Sequence, residues 1–399
     1  MVTAHELGAE WYDRFARSAT DLYPWRYSLR ICRELATQAI EILALLKEKR
    51  STLLVHNYLF PEFHELVRLA AAEGLPAFVG DSLGLSLRAR DAGATRVDFA
   101  SVFFMGATAK LITGDVTRVF VPDTPDVLGC SLVFGTDHAW VDAWKAKHPD
   151  GILITYVNSD AALKAKSDFI STSRNTDRII VEAARRFPGR RMLLLPDKYL
   201  GYVMRERAVT LAKEQGVAYD PELVDVYTQP HGGFHASCYV HEAIGADAPE
   251  RALAEHPDAE LMIHPECGCA SSCLLKLHAG IIPNDRAYFL STEGMVEHAR
   301  RSSRHQFIVA TEKGMVYRLR QDLPEKTFIP ISVDATCRYM KANTLERLLR
   351  SLRGDRIEIV LCDDCCDPQH PVQDDQVVHI PRTTATRAKV AIDRMLEIQ

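Results

Sequence analysis

The first fifty residues repeat apolar positions at helical spacing, most clearly in RICRELATQAIEILALLKEKR, and predict a helical segment over 1–50. After Ser51 the pattern changes. Short apolar runs bounded by Gly, Pro or Asp alternate with amphipathic stretches, the pattern of parallel α/β units with crossover helices. Three kinds of strand end recur in the same order. The first reads TLLVHNY (52–58), ILITYVN (152–158) and ELMIHPE (260–266). The second reads AFVGDSLGL (77–85), DFISTSRNT (168–176) and YFLSTEGM (288–295). The third reads VFVPDTPDVLG (119–129), LLLPDKYLGY (193–202) and FIVATEKGMVY (307–317). The steps from His56 to Tyr156 and from Tyr156 to His264 are 100 and 108 residues. That period is too long for a solenoid and points to one αβα domain present three times. The expected organisation is a helical segment (1–50), three similar domains with parallel sheets (51–134, 135–240 and 241–336) about a pseudo-threefold axis, and a C-terminal helix and strand closing the fold (337–399).

Composition narrows the class. Of 399 residues, 47% are hydrophobic and 25% charged, which excludes disordered and fibrous chains. A net charge of −5 gives no basic footprint for nucleic acid or an anionic membrane. No apolar run reaches the roughly 18 residues of a spanning helix. The N-terminus lacks the basic and apolar regions of a signal peptide, so the expected location is cytoplasmic.

Ten cysteines are many for a reducing compartment, where they serve as metal ligands or catalytic thiols more often than as disulfides. Cys130, Cys238 and Cys337 each follow the third strand type of their unit, at intervals of 108 and 99 residues. Three quasi-equivalent domains would bring these thiols to one centre. Three thiolates leave one position open, on a zinc ion that ordinarily takes a fourth protein ligand or on an iron–sulfur cube with one free iron. Cys267, Cys269 and Cys273 in CGCASSC suit a zinc knuckle or a redox pair. Cys362, Cys365 and Cys366 in LCDDCC follow an apolar strand and have no evident role.

The first strand ends lie where ligands bind in parallel sheets, at the carboxyl edge. His56 and Tyr58, Tyr156 and Asn158, and His264 and Glu266 are each two apart, so each pair shares a face. One such pair equally satisfies backbone groups; its threefold recurrence favours a shared site. The second strand ends place Ser82, Ser173 and Thr292 near helix N-termini. Hydroxyls there cap helices, and such ends also hold phosphate or carboxylate. His241, three residues after Cys238, faces either a metal centre or a hydrogen-bonded core. Lys341 reads as part of an ordinary helix. No P-loop, G-x-G-x-x-G or G-x-S-x-G elbow is present.

In their order, the strings HNY, GDSL, FFMGATAK, GCSL, TYVNSDAALKAKSDFISTSRN, LLPDKYLG, CYVH, HPEC, STEGM, TEKGM and CRYMKANTLE resemble the quinolinate synthase family along nearly the whole chain after residue 50. The resemblance implies three αβα domains around a four-iron, four-sulfur (4Fe-4S) cluster held by Cys130, Cys238 and Cys337. It implies condensation of iminoaspartate with dihydroxyacetone phosphate to quinolinate in de novo NAD biosynthesis, with the open iron as Lewis acid. It maps substrate contacts to His56, Tyr58, Ser82, Tyr156, Asn158, Ser173, His241, His264, Glu266 and Thr292. Glu266 is then the candidate general base, and His56, Tyr58 and His241 are candidate proton donors. L-aspartate oxidase is a candidate partner supplying the unstable imine. Leu59 after HNY and Ala107 in FFMGATAK depart from the family's usual Gln and Glu. The competing readings are a diverged relative acting on another imine and keto-phosphate, and a non-enzymatic iron–sulfur sensor. A sensor requires no polar lining.

Overall fold

The computed structural model describes residues 3–283, 285–363 and 376–398; Cys365 and Cys366 lie outside them. The N-terminal segment forms two helices, Ala4–Ser18 and Leu29–Glu48. A Thr3–Glu6 capping box starts the first, and the Ser28 hydroxyl caps the second. The helical segment is interrupted at 19–28, where Pro24 cannot donate a backbone hydrogen bond. The second helix buries Cys32, Ala36, Ala39, Ile42, Leu43 and Leu46, one apolar stripe.

The later chain alternates strands and helices as the pattern predicts. The strands are β1 (Thr52–His56), β2 (Ala77–Gly80), β3 (Arg96–Ala100), β4 (Arg118–Phe120), β5 (Ile152–Tyr156), β6 (Phe169–Ser171), β7 (Met192–Leu195), β8 (Val224–Val226), β9 (Glu260–Ile263), β10 (Ala287–Phe289), β11 (Gln306–Ala310), β12 (Thr327–Pro330), β13 (Glu358–Cys362) and β14 (Val377–Pro381). The fold is α/β with three sheets dominated by parallel pairs. Two compact units divide it: Met1–Gly129 with Glu312–Pro381, and Cys130–Thr311 with Arg382–Gln399.

In the first unit, a six-stranded sheet runs β14-β13-β4-β3-β1-β2. All its pairs are parallel except β13 against β4. His56 pairs with Gly80 at the carboxyl end of β1. Leu59 and Ala107, the two departures from the family strings, are core residues of this unit. Of its C-terminal elements, β13 is the expected strand, while β14 escapes the pattern.

In the second unit, β6-β5-β7-β8 form a parallel sheet, and β9 pairs in parallel with β10 and β11. A strand of the first kind lies between those of the second and third kinds in the second and third sets. In the first set β1 lies between β2 and β3, so β3 holds the place of β7 and β11, and the string 119–129 read as the third kind is the next strand out, β4. Strands β1, β5 and β9 are buried at every position, which explains their unbroken apolar runs. The last helix, Arg382–Glu397, packs on the helix Ala161–Lys166 and on β6. Arg394 there donates to the Asp168 carbonyl at 2.8 Å. Among the described residues, no helix is long and apolar enough to cross a membrane.

Candidate functional site

In the second unit, the polar ends of β5 and β9 meet around one carboxyl group. Glu266, 3% exposed, accepts from the Asn158 amide at 3.1 Å and from the Tyr156 hydroxyl. His241 and His264 each bring Nδ1 to 3.3 Å from its other oxygen. Their rings stack with centroids 5.1 Å apart. The His241 Nε2 lies 2.8 Å from the Thr311 hydroxyl. Four predicted side chains from strand ends 108 residues apart, and His241 from the turn after Cys238, are therefore neighbours.

Burial sets the electrostatics. It pushes Glu266 well above the ordinary carboxyl range, and the nearby Asp197 charge pushes further, against the hydrogen bonds from Tyr156 and Asn158. Burial also lowers His241 to about 3, so this imidazole is neutral at physiological pH. The backbone N–H of Glu266 donates to His264 Nδ1 at 3.4 Å, which puts the neutral ring's proton on Nε2. The cluster thus offers neutral imidazoles beside a carboxyl group with a raised pKa. That pairing suits proton transfer near neutral pH.

One buried polar atom points to a missing donor. Asn158 Oδ1 has no hydrogen-bond partner among the described residues, although its amide nitrogen serves Glu266. Beside it, a sulfur of Cys238, a ring nitrogen of His241 and an oxygen of Glu266 lie within 4.8 Å of one another. Soft thiolate and imidazole donors of this kind suit a transition metal or an iron–sulfur group.

Cys130, Cys238 and Cys337 share a local structure. Each is a half-buried residue in extended conformation that starts a four-residue helix: Ser131–Phe134, Tyr239–Glu242 and Arg338–Lys341. Each carbonyl accepts the amide four residues on, at 3.0, 2.8 and 2.9 Å. Cys130 and Cys238 belong to the second unit, where the Ser131 hydroxyl donates to the Ser237 carbonyl at 3.4 Å and joins the two cysteine turns. Cys337 belongs to the first unit. Lys164, buried and lowered to about 7, bears on Cys130.

The first unit holds His56, Tyr58 and Ser82. The rings of His56 and Tyr58 meet edge to face at 4.8 Å, and the Tyr58 N–H donates to His56 Nδ1 at 3.2 Å. Burial and then the charge of Lys341 lower His56 to about 3. Lys341 is not the ordinary helix residue its pattern indicates. Its ammonium donates to the Tyr58 carbonyl, to the Tyr23 hydroxyl at 2.8 Å and to Glu312 at 3.1 Å.

The helix-end hydroxyls sit beside the caps rather than in them. Asp81 caps the helix Ser82–Asp91 and Ser291 caps Thr292–Arg301, so Ser82 and Thr292 are first-turn residues. Ser173 lies in the turn before the helix Thr176–Arg186. None of the three caps its helix. Cys267 and Cys269 form a disulfide, with Cα atoms 5.2 Å apart across a tight turn. Of the two expectations for CGCASSC, the disulfide fits the redox pair and not the zinc knuckle, and Cys273 remains a buried thiol raised to about 12 by burial.

Sequence reasoning passed over Asp197, Glu312, Lys164 and Thr311. A signal for two of them existed, since LLPDK and ATEK carry an acid at the same place in the third strand kind.

The family model described as NadA: Quinolinate synthetase A protein matches residues 40–397. The quinolinate synthase of Pyrobaculum aerophilum is 35% identical over 358 residues, covering 90% of this chain and 98% of that protein. That of Thermus thermophilus is 36% identical over 361 residues, with 90% and 97% covered. The Mycobacterium tuberculosis quinolinate synthase is 34% identical over 360 residues, with 90% and 88% covered.

Proposed function

Because the chain belongs to the quinolinate synthetase A family, we propose that it condenses iminoaspartate with dihydroxyacetone phosphate to quinolinate, with loss of phosphate and water, in de novo NAD biosynthesis. The observation that carries this reading is the buried Glu266 among Tyr156, Asn158, His241 and His264, with the Cys238 thiol at its edge. A sensor has no use for so dense a polar lining.

The proposed cofactor is a 4Fe-4S cluster with Cys130, Cys238 and Cys337 as ligands. The common extended-then-helical setting of the three cysteines and the soft donor set beside Cys238 fit such a group. When bound, the cluster supplies Lewis-acid polarisation at its open iron. The chain supplies the proton traffic. Glu266, ionised after giving its proton to solvent or substrate, takes a proton from carbon during tautomerisation and dehydration. Its raised pKa makes it a strong enough base for that step. His264 offers Nε2–H to a substrate carboxylate, and Asn158 Oδ1 accepts from an imine or hydroxyl proton. Ser173 and Thr292, released from capping, suit phosphate or carboxylate oxygens. His56, Tyr58 and Ser82 take substrate-binding roles in the same reading, and His56, Tyr58 and His241 handle protons.

A reducing cytoplasm suits an oxygen-labile cluster, and L-aspartate oxidase is the proposed source of the imine. The test is substitution of each cysteine. Cys130→Ser, Cys238→Ser and Cys337→Ser should each abolish the brown chromophore of anaerobically purified protein. A requirement for Cys267, Cys269 or Cys273 instead would overturn the ligand assignment.

A further inference from the structure

The acids at the end of the third strand kind do more than start helices. Asp197 stands two residues after β7, and Glu312 two residues after β11. Both are almost fully buried. Asp197 divides its two oxygens. Oδ1 accepts from the Leu200 N–H at 2.8 Å and caps the helix Lys198–Gln215, while Oδ2 accepts from the Cys238 N–H at 3.1 Å, 41 residues away in sequence. In the first unit Glu312 does the same. Oε2 accepts from the Gly314 N–H at 2.6 Å, at the start of the helix Gly314–Asp322. Oε1 accepts from the Cys337 N–H at 3.4 Å and receives the Lys341 ammonium at 3.1 Å.

The amide of a residue that starts a helical turn has no partner within that turn, so something outside must hold it. Burial raises both acids, Asp197 to about 7, so their hold on these amides is that of a two-oxygen acceptor, strengthened by charge whenever the group is ionised. A negative charge beside a thiolate does not help that thiolate ionise. These acids therefore serve geometry: they tie each cysteine turn to the end of a packed strand. The first repeat carries no acid at that place, since β3, which stands where β7 and β11 do, is followed by Ser101 and Val102; Asp123, after β4, is used otherwise. It accepts from its own neighbour Thr124 at 2.9 Å and pairs with Arg347 and Arg350 at 3.0 and 2.9 Å.

We propose that Asp197 and Glu312 are positioning residues that fix the cluster thiolates of Cys238 and Cys337 through their backbone amides. The proposal rests on the cluster reading above and adds to it two residues outside the ligand set. Orientation of a metal ligand by a partner of this sort is commonly worth about 10- to 100-fold in metal retention.

Three variants test it in the full-length protein, reconstituted anaerobically with iron and sulfide. Asp197→Ser keeps a hydroxyl able to cap Leu200 but too short for Cys238. Glu312→Gln keeps the size of the side chain but only one acceptor oxygen, so it cannot hold the Gly314 and Cys337 amides together. Asp123→Asn is the comparison. Iron per chain, and the rate at which a ferrous chelator bleaches the chromophore, are measured together with the thermal midpoint of the metal-free protein. Bleaching should be about 10- to 100-fold faster in Asp197→Ser and Glu312→Gln, and as in wild type for Asp123→Asn. Alkylation of the metal-free proteins, mapped by mass spectrometry, should quicken at Cys238 only in Asp197→Ser and at Cys337 only in Glu312→Gln. A general loss of stability would quicken all thiols alike. Should Asp197→Ser fail to fold, Glu312→Gln decides alone. Wild-type bleaching and alkylation in both variants, with the wild type loaded, would overturn the positioning role and leave the cluster reading intact. A wild type that takes up no cluster would overturn both.

Discussion

Replacing Glu266 by Gln removes one proton acceptor and changes little else. The amide has the same shape, and its carbonyl oxygen can still accept from Asn158, which now sits 3.1 Å from the carboxylate. The His241 imidazole, 3.3 Å away, cannot take over as a strong base, since burial holds it near pKa 3. A positioned general base typically contributes 10²–10⁴-fold, so kcat should fall by about that factor, roughly 3–5 kcal/mol of barrier. KM for either substrate should change little, and iron per chain should stay at the wild-type level. Stability gives a second, independent readout. The folded carboxyl binds its proton more tightly than the unfolded one, whose ordinary value is 4.5. Wild type therefore keeps this group's contribution in acid and loses it as pH rises from 4.5 through the raised folded value. The Gln variant has no such loss. Measured by urea unfolding of the metal-free protein, it should match wild type below pH 4.5 and exceed it at neutral pH. Steady-state quinolinate formation, the iron assay and the two unfolding curves together make the test. A kcat within threefold of wild type refutes the base assignment. Loss of iron in the variant would instead make Glu266 a ligand, in line with its place near the Cys238 sulfur.

Other outcomes follow from the same structure. His56, His64 and His241 are each lowered to about 3 by burial. Below the unfolded value of 6.5 the unfolded chain binds the extra protons, so stability should fall as pH drops from 6.5 towards 3, by up to about 1.4 kcal/mol per pH unit for each. Urea midpoints at pH 7, 6 and 5 should show this slope, and His64→Leu should remove one share of it; an unchanged slope would contradict the assignment. Gly106→Ala should cost about 1–3 kcal/mol, because a Cβ there would meet Val121 Cγ1 at 2.6 Å and Ile359 Cδ1 at 3.2 Å. A thermal midpoint equal to wild type would show that the helix Phe103–Thr113 can lift from its sheet without cost.

The strand ends were legible because each central strand is buried along its length and stops in a polar pair. TLLVH, ILITY and ELMI announce themselves by apolar runs, and HNY, YVN and HPE by the break that follows. The spacing showed the matching helical turns of the three cysteines, but not that they follow β4, β8 and β12, the fourth strand of each set. The roles of Asp197 and Glu312 were not, since the bonds that define them reach 41 and 25 residues along the chain. Lys341 looked like any helix lysine because Glu312, Tyr23 and the Tyr58 carbonyl are distant in sequence. Ser82 and Thr292 were expected in capping positions, yet Asp81 and Ser291 precede them and take that task. Strand β14 follows LCDDCC without a periodic run long enough to stand out, and pairing with β13 decides it.

The decisive measurement is product formation by the intact protein. Anaerobically purified chain carrying about four iron and four sulfide per molecule, given iminoaspartate and dihydroxyacetone phosphate, should release quinolinate and inorganic phosphate in equal amounts. A fully loaded protein that releases neither from this pair of substrates would contradict the account.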